Sequence, residues 1–298
     1  MVEVIFLGTS TALPTKKRNH PAIFLRHLDN YFLFDCGEGT QKQLQIAGKS
    51  VFKLDAIFIS HLHGDHLLGL GGILQSLAYL GRERELKVFG PKGIKKYVDF
   101  FLNWDYFKPT YKVETYEIKE GKIFENEDLE IEAFKTQHTC PNYGFVFLEK
   151  KEINLDKRKL EELGILNSPK AGELKEKGFI IHNGRMIKLE EVALPPKHRT
   201  KIVYSGDSIV CENLIEKAKN SDLLICDSTF GEDMREKATE YGHMTAKDAA
   251  KIAKKAKVKK LVLTHISPRY EDSNILLKEA KEIFKETVLA EDFMVLEV

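Results

Sequence analysis

The segment His61-Leu62-His63-Gly64-Asp65-His66 sets three imidazoles and one carboxylate side by side. These are the donor types that hold zinc, or manganese or iron where the cell supplies them. So many ligand-type groups in one short turn need a shared ion or compensating partners, because crowding them without either is costly. The cluster follows Ala56-Ile57-Phe58-Ile59, an apolar run that reads as a buried strand, so the donors stand on the turn leaving it. A strand end is also where an open α/β layer places its site.

One turn cannot close two coordination spheres, and the rest of the chain supplies further donors in the same context. An alternating run over 131–136 leads to His138, and Lys201-Ile202-Val203-Tyr204 leads through Ser205-Gly206 to Asp207. Leu261-Val262-Leu263-Thr264 runs directly into His265. Each is a short strand pattern with a ligand-type residue at its exit. His243, in Tyr241-Gly242-His243-Met244-Thr245, precedes a helical stretch over 245–256 and by itself reads equally well as the residue before a Thr cap. His20, His27, His182 and His198 have no strand-exit context and stay outside the site.

The elements that must hold these donors follow from periodicity. Strands are expected at 2–7, 22–26, 31–34, 56–59 and 86–89, with helices at 38–47, 67–80 and 92–102, and strands dominate 111–148. The second half alternates strands at 202–204, 222–226 and 261–263 with helices at 211–219, 245–256 and 274–284. This order implies an α/β fold in which two sheets are covered by helices on both outer sides. Between 149 and 198 the pattern changes to Lys and Glu, with turn residues at Gly164, Asn167-Ser168-Pro169, Gly172, Gly178, Asn183-Gly184 and Pro195-Pro196. That segment reads as an insertion projecting from the metal-bearing layers, although its composition alone is also that of a loosely structured, solvated excursion.

A chain of 298 residues without a Gly/Ser or Pro-rich linker reads as one domain, 1–298, with the insertion at 149–198 inside it. Its charge balances to +1, so any nucleic-acid contact must come from local patches and not from the whole molecule. Cys36, Cys140, Cys211 and Cys226 lie far apart with no Cys-x-x-Cys spacing, which fits a reduced, cytoplasmic protein. The start Met1-Val2-Glu3-Val4 lacks the basic stretch and apolar core of a signal peptide, and no apolar run approaches the roughly 20 residues needed to span a membrane. Lys251, Lys254 and Lys255 read as a solvated helix face.

Taken together, the donors of 61–66 with His138, Asp207 and His265 resemble the metallo-β-lactamase superfamily. Within it the chain looks like the short-form tRNA 3′-processing endoribonucleases, tRNase Z. Phe34-Asp35-Cys36-Gly37-Glu38-Gly39-Thr40-Gln41 resembles that family's strand-exit signature, and Pro14-Thr15-Lys16-Lys17-Arg18-Asn19 matches its P-x-K-x-R-N loop. Tyr241-Gly242-His243-Met244-Thr245 resembles its histidine motif near the scissile phosphate. Two departures stand out. Cys226-Asp227-Ser228-Thr229 replaces the usual His-Glu-Ala-Thr and shortens the acid by one methylene, and Ser168-Pro169 stands where Gly-Pro is usual.

The resemblance implies a four-layer αββα metallo-β-lactamase fold with an inserted tRNA-binding arm. It implies two zinc ions per subunit, or manganese or iron in their place. His61, His63 and His138 would hold one, Asp65, His66 and His265 the other, and Asp207 would bridge them. Two such cations about 3.5–4 Å apart lower the pKa of a shared water, align it for in-line attack and neutralise charge on the phosphate. Asp65 is a candidate base as well as a ligand. His243 is the candidate acid for the departing ribose oxygen, oriented by Asp227. Lys16 and Arg18 offer charge and forked donors to the tRNA end, against the ordinary reading of a solvated turn, and Arg269 is a candidate phosphate clamp. The implied substrate is precursor tRNA, cut to a 3′-hydroxyl and a trailer 5′-phosphate, by a homodimer. A small-molecule phosphodiesterase or thioesterase of the same superfamily explains the metals equally well. It leaves Lys16-Lys17-Arg18-Asn19, His243 and the Lys-bearing insertion unexplained. The full ligand set argues against a third reading, a non-catalytic RNA-binding platform.

Overall fold

The structure, a computed structural model, describes residues 1–104, 106, 108–150, 154–194 and 199–298. Pro195-Pro196 and His198 of the sequence reading lie outside them. The chain begins with β1 (Val2–Gly8), β2 (Ala22–His27), β3 (Asn30–Phe34), α1 (Thr40–Ile46), β4 (Ala56–Phe58), α2 (Gly64–Leu67) and α3 (Leu70–Tyr79). It continues with β5 (Leu86–Gly90), α4 (Ile94–Leu102), β6 (Val113–Glu117), β7 (Gly121–Glu125), β8 (Leu129–Thr136) and β9 (Asn142–Glu149). The inserted segment holds α5 (Lys157–Glu162), α6 (Pro169–Lys177), β10 (Phe179–His182), β11 (Arg185–Lys188) and α7 (Leu189–Val192). Then come β12 (Lys201–Tyr204), α8 (Glu212–Ala218), β13 (Leu223–Asp227), α9 (Arg235–Tyr241) and α10 (Ala246–Ala256). The last elements are β14 (Lys260–Thr264), α11 (Asn274–Lys281), β15 (Thr287–Leu289) and β16 (Val295–Glu297). The chain divides into two compact units, one of 1–125, 130–148 and 200–298, the other of 126–129 and 149–199.

The larger unit carries two seven-stranded sheets, ordered β16-β1-β2-β3-β4-β5-β6 and β15-β14-β13-β12-β9-β8-β7. Parallel pairing runs from β3 to β6 in the first and from β12 to β15 in the second. The inner faces meet through aromatic side chains. Phe58 stacks between Phe34 and Phe89 with ring centroids 5.1 and 4.9 Å away, and Phe145 of the second sheet lies 5.8 Å from it. Full burial of a side chain of this size contributes roughly 1.5–3 kcal/mol. On the outer faces, Leu44, Ile73, Leu74 and Val98 of α1, α3 and α4 cover the first sheet, while Leu214, Ile252, Ala253 and Leu276 of α8, α10 and α11 cover the second. The expected α/β order of helices, two sheets and helices is therefore what forms.

Local differences from the expectation have simple causes. The helix expected at 67–80 is two, and α2 starts at Gly64, so Asp65 and His66 sit in a helical first turn and not on a free loop. The short elements α9, β15 and β16 were not anticipated, being too brief for periodicity to register. Thr245 does cap α10, in a capping box with Asp248, so the two readings of the segment around His243 coexist.

The smaller unit has a core of its own, formed by Leu160, Ile165, Leu174, Ile180, Ile187 and Val192. Ser168 caps α6 by accepting from the Lys170 N–H, and Pro169 occupies its first turn, where a missing N–H costs nothing. The charged composition that suggests a loose excursion thus clothes an ordered hairpin and three helices.

Candidate metal centre

All four strand exits expected to carry donors, after β4, β8, β12 and β14, deliver them to one point in the larger unit. Ligand atoms of His61, His66 and Asp207 lie within 4.8 Å of one another, as do those of Asp65, His66 and His265, and those of His61, His63 and His138. The Asp207 Oδ2 atom is 3.3 Å from both His66 Nε2 and His265 Nε2 and 3.7 Å from His61 Nε2. Asp65 Oδ2 is 3.5 Å from His66 Nε2 and 3.6 Å from His265 Nε2. Asp207 therefore stands between two donor groups.

Which nitrogen each ring offers follows from what its other nitrogen does. His66 Nδ1–H donates to Asp35 Oδ2 at 2.8 Å. His61 Nδ1–H donates to Ser60 Oγ at 2.9 Å, and that hydroxyl donates onward to Asp35. His138 Nδ1–H donates to the Gly242 carbonyl at 2.8 Å, and His265 Nδ1–H to Thr229 Oγ1 at 2.8 Å. Each Nε2 is left as a lone pair aimed inward. His63 presents Nδ1 instead, 3.0 Å from His61 Nε2 and 3.3 Å from His138 Nε2. Partners of this kind fix the tautomer of metal-binding histidines and raise their basicity.

The fit to a cation rests on two orphans. His66 Nε2 and His265 Nε2 are fully buried and lack a hydrogen-bond partner. Buried nitrogens are normally satisfied, and these two point at the carboxylates of Asp65 and Asp207. Nitrogen and oxygen donors in this number suit zinc, and manganese or iron accept the same set. The electrostatics agree. Burial, with His66 nearby, holds the His61 pKa well below the usual imidazole range. Burial opposes a charged Asp207, but His265 and His66 outweigh it and hold its carboxyl well below the carboxylate range. Burial also opposes a charged His66, yet Asp207 and Asp35 raise its pKa well above normal, the mark of a negative field that a cation would answer.

His243 stands beside this cluster, its ring centroid 5.0 Å from those of His138 and His265. Its Nδ1–H donates to Asp227 Oδ2 at 2.8 Å, a reach the shortened acid still makes. Asp227 also accepts from the Ser208 N–H, the Thr229 N–H and the Thr229 hydroxyl, so both its oxygens are occupied and it orients His243 in preference to binding a metal. Burial works against a charged His243, but Asp227 outweighs it and the pKa is pushed up to about 9. Gly242, at φ +75°, serves the same geometry: a Cβ there would lie 2.8 Å from His138 Nδ1, the atom its carbonyl must receive.

Asp65, His138, Asp207, His243, His265 and Arg269 line one cleft of about 520 Å³. Lys16 and Arg18 line an adjoining cleft that shares Ser267 and Pro268 with the first. The Arg18 guanidinium is already engaged, donating to Thr9 Oγ1 at 2.7 Å, the Ala290 carbonyl at 2.5 Å and Ser273 Oγ at 3.1 Å. Asp35 is the residue that reading for ligands overlooks. It accepts from Ser60, His66 and, at 2.6 Å, the Tyr204 hydroxyl, and so positions two ligands at once. Its signal is the acid directly after β3 in the Phe34-Asp35 signature. Asp35 and His265 both adopt positive φ, 58° and 60°, strain of the kind that collects at functional sites.

If Asp227 keeps His243 protonated, the Asp227→Asn protein should lose its high-pH activity first. The acid form of wild type persists up to about 9. Without the carboxylate the limb should fall towards the ordinary imidazole range near ~6.5, costing about tenfold or more at pH 8. Bound cations repel imidazolium in both proteins, so the comparison is between two metal-loaded samples. An unmoved high-pH limb would detach Asp227 from this role.

Comparison with known proteins agrees with this geometry. The family model of the anti-Pycsar protein Apyc1 matches residues 2–163, and that of the β-lactamase superfamily domain matches residues 191–266. The short form of human tRNase Z superposes with a TM-score of 0.73 at 28% identity over 99% of both chains. Ribonuclease Z of Methanothermobacter thermautotrophicus is 41% identical over 100% of this chain and 97% of its own length. Ribonuclease Z of Archaeoglobus fulgidus is 40% identical over 100% of this chain and 98% of its own. Identity sustained from end to end, on a fold that gathers this donor set, places the chain in the ribonuclease Z family of the metallo-β-lactamase superfamily.

Proposed function

We propose that the chain removes the 3′ trailer from precursor tRNA by hydrolysing one phosphodiester, leaving a tRNA 3′-hydroxyl and a trailer 5′-phosphate. The observation that carries this reading is His243, held protonated by Asp227 next to the donor cluster, where an acid can reach a departing ribose oxygen. His61, His63 and His138 would hold one divalent cation and Asp65, His66 and His265 a second, with Asp207 shared; zinc suits the donors. When bound, the cations supply Lewis acidity at the scissile phosphate and activate the attacking water.

The chain's own groups do the rest. Asp65, its carboxyl held well below the usual range by His265 and His66 against its burial, stays ionised, the form in which it binds a cation and from which a base must start. Arg269, exposed on the cleft wall, and Lys16 in the adjoining cleft meet backbone phosphates. Arg18, its donors taken by the protein, fixes the loop that presents Lys16. The unit of 149–199 is the tRNA-binding arm, with exposed Lys157, Arg158, Lys175 and Lys188 to meet phosphates. An exposed groove lined by Leu68, Phe101, Trp104 and Tyr106 supports a homodimer, since apolar surface of this kind favours association. Four free cysteines support a cytoplasmic setting, and no helix among the described residues is long and apolar enough to cross a membrane.

Replacing residues 151–198 by a short Gly-Ser linker tests the substrate. Cleavage of a precursor tRNA with a 3′ trailer should fall on the order of 10²-fold in kcat/KM, with a shallower salt dependence, because phosphate contacts are lost. Hydrolysis of bis-nitrophenyl phosphate, too small to need an arm, should stay within about twofold. Unchanged tRNA cleavage would favour a small-molecule phosphodiesterase.

A further inference from the structure

We infer that Cys140 is a thiolate ligand of the cation held by His61, His63 and His138, an inference that rests on the metal reading above. The sulfur and one nitrogen of each of these three rings lie within 4.8 Å of one another, a spread that a single ion with bonds of about 2.0–2.3 Å can gather. Cys140 leaves the same strand exit as His138, two residues on, and is partly exposed. Cys36, Cys211 and Cys226 are buried and belong to none of the metal-competent groups among the described residues.

The consequence is an asymmetric centre. Three nitrogens and a sulfur are a softer set than Asp65, His66 and His265, which offer nitrogen and oxygen only, and Asp207 remains shared between the two. Soft donors select zinc or cobalt over manganese, so the two positions should differ in preference as well as in affinity. On binding, the S–H proton leaves to solvent and the sulfur lone pair takes its place on the ion, so loading releases one proton more than histidine ligation would.

Cobalt(II) titrated into the chelator-stripped full-length protein reads this directly, because thiolate ligation gives an intense near-ultraviolet charge-transfer band absent from nitrogen and oxygen sites. Wild type should show that band together with the visible cobalt transitions. Cys140→Ser should keep the visible transitions, lose the charge-transfer band, and bind zinc at least about tenfold more weakly, since even outer partners of a ligand cost 10–100-fold. Its manganese affinity should stay within about threefold. Visible transitions without the near-ultraviolet band in wild type would overturn the inference whether or not the variant folds, and so would a band that survives Cys140→Ser. A wild-type protein that takes up no cobalt would overturn the metal reading, and this inference with it.

Discussion

Asp207→Ala should abolish phosphodiester hydrolysis while leaving the fold in place. Its Oδ2 atom lies within 3.7 Å of ring nitrogens of His61, His66 and His265, so its loss separates the two donor groups. Removing the shared ligand forfeits several kcal/mol of charge stabilisation at the phosphate, a rate loss on the order of 10³-fold or more. The same change takes a buried carboxylate from a loop outside the core, an effect of roughly 0.5–3 kcal/mol against a total stability of about 5–15 kcal/mol. Bound metal should drop below the wild-type amount by elemental analysis, while far-ultraviolet circular dichroism stays the same. Normal turnover in this variant would remove the shared carboxylate from the mechanism.

His243→Ala should show the opposite dissociation, with metal content intact and the rate lowered on the order of 10²–10⁴-fold. A ring nitrogen of His243 gathers with Asp207, Asp227 and His265, but its Nδ1 is committed to Asp227 and the groups built on His61, His63, His66 and His138 close without it. The loss should concentrate on substrates whose leaving oxygen needs a proton. A precursor with sulfur in place of the bridging 3′-oxygen departs as a stable thiolate, so the variant should approach wild-type rates on it. Equal losses on the oxygen and sulfur substrates would leave His243 with a binding role only.

Much of this centre was legible because each donor ends an apolar strand, and period-two or continuous apolar runs survive in sequence. His61, His138, Asp207 and His265 could be placed that way without knowing how the sheets pair. The partners of those donors could not. Asp35 reaches His66 across 31 positions because β3 and β4 are neighbours in register, Phe34 beside Phe58, and pairing partners are not written in either strand. Arg18 reads as a free surface cation until the turn at Ala290 and the start of α11 come to meet it. The arm misleads for another reason. Its core side chains, such as Leu160 and Leu174, are spaced among so many Lys and Glu that composition suggests solvation where an ordered cluster forms.

Cysteine 140 marks a further limit. A search for histidine and carboxylate donors passes over it, and only the meeting of the β8 and β4 exits brings its sulfur beside His61 and His63.

The measurement closest to the central claim is the chemistry of the new ends. A precursor tRNA labelled on either side of the trailer junction is incubated with metal-loaded protein, and both products are characterised by phosphatase sensitivity and mass. Water attack with His243 protonating the ribose oxygen gives a tRNA ending in a 3′-hydroxyl and a trailer beginning with a 5′-phosphate, and chelation stops both from forming. A 2′,3′-cyclic phosphate on the tRNA, or cleavage that persists after the metal is stripped, would contradict it.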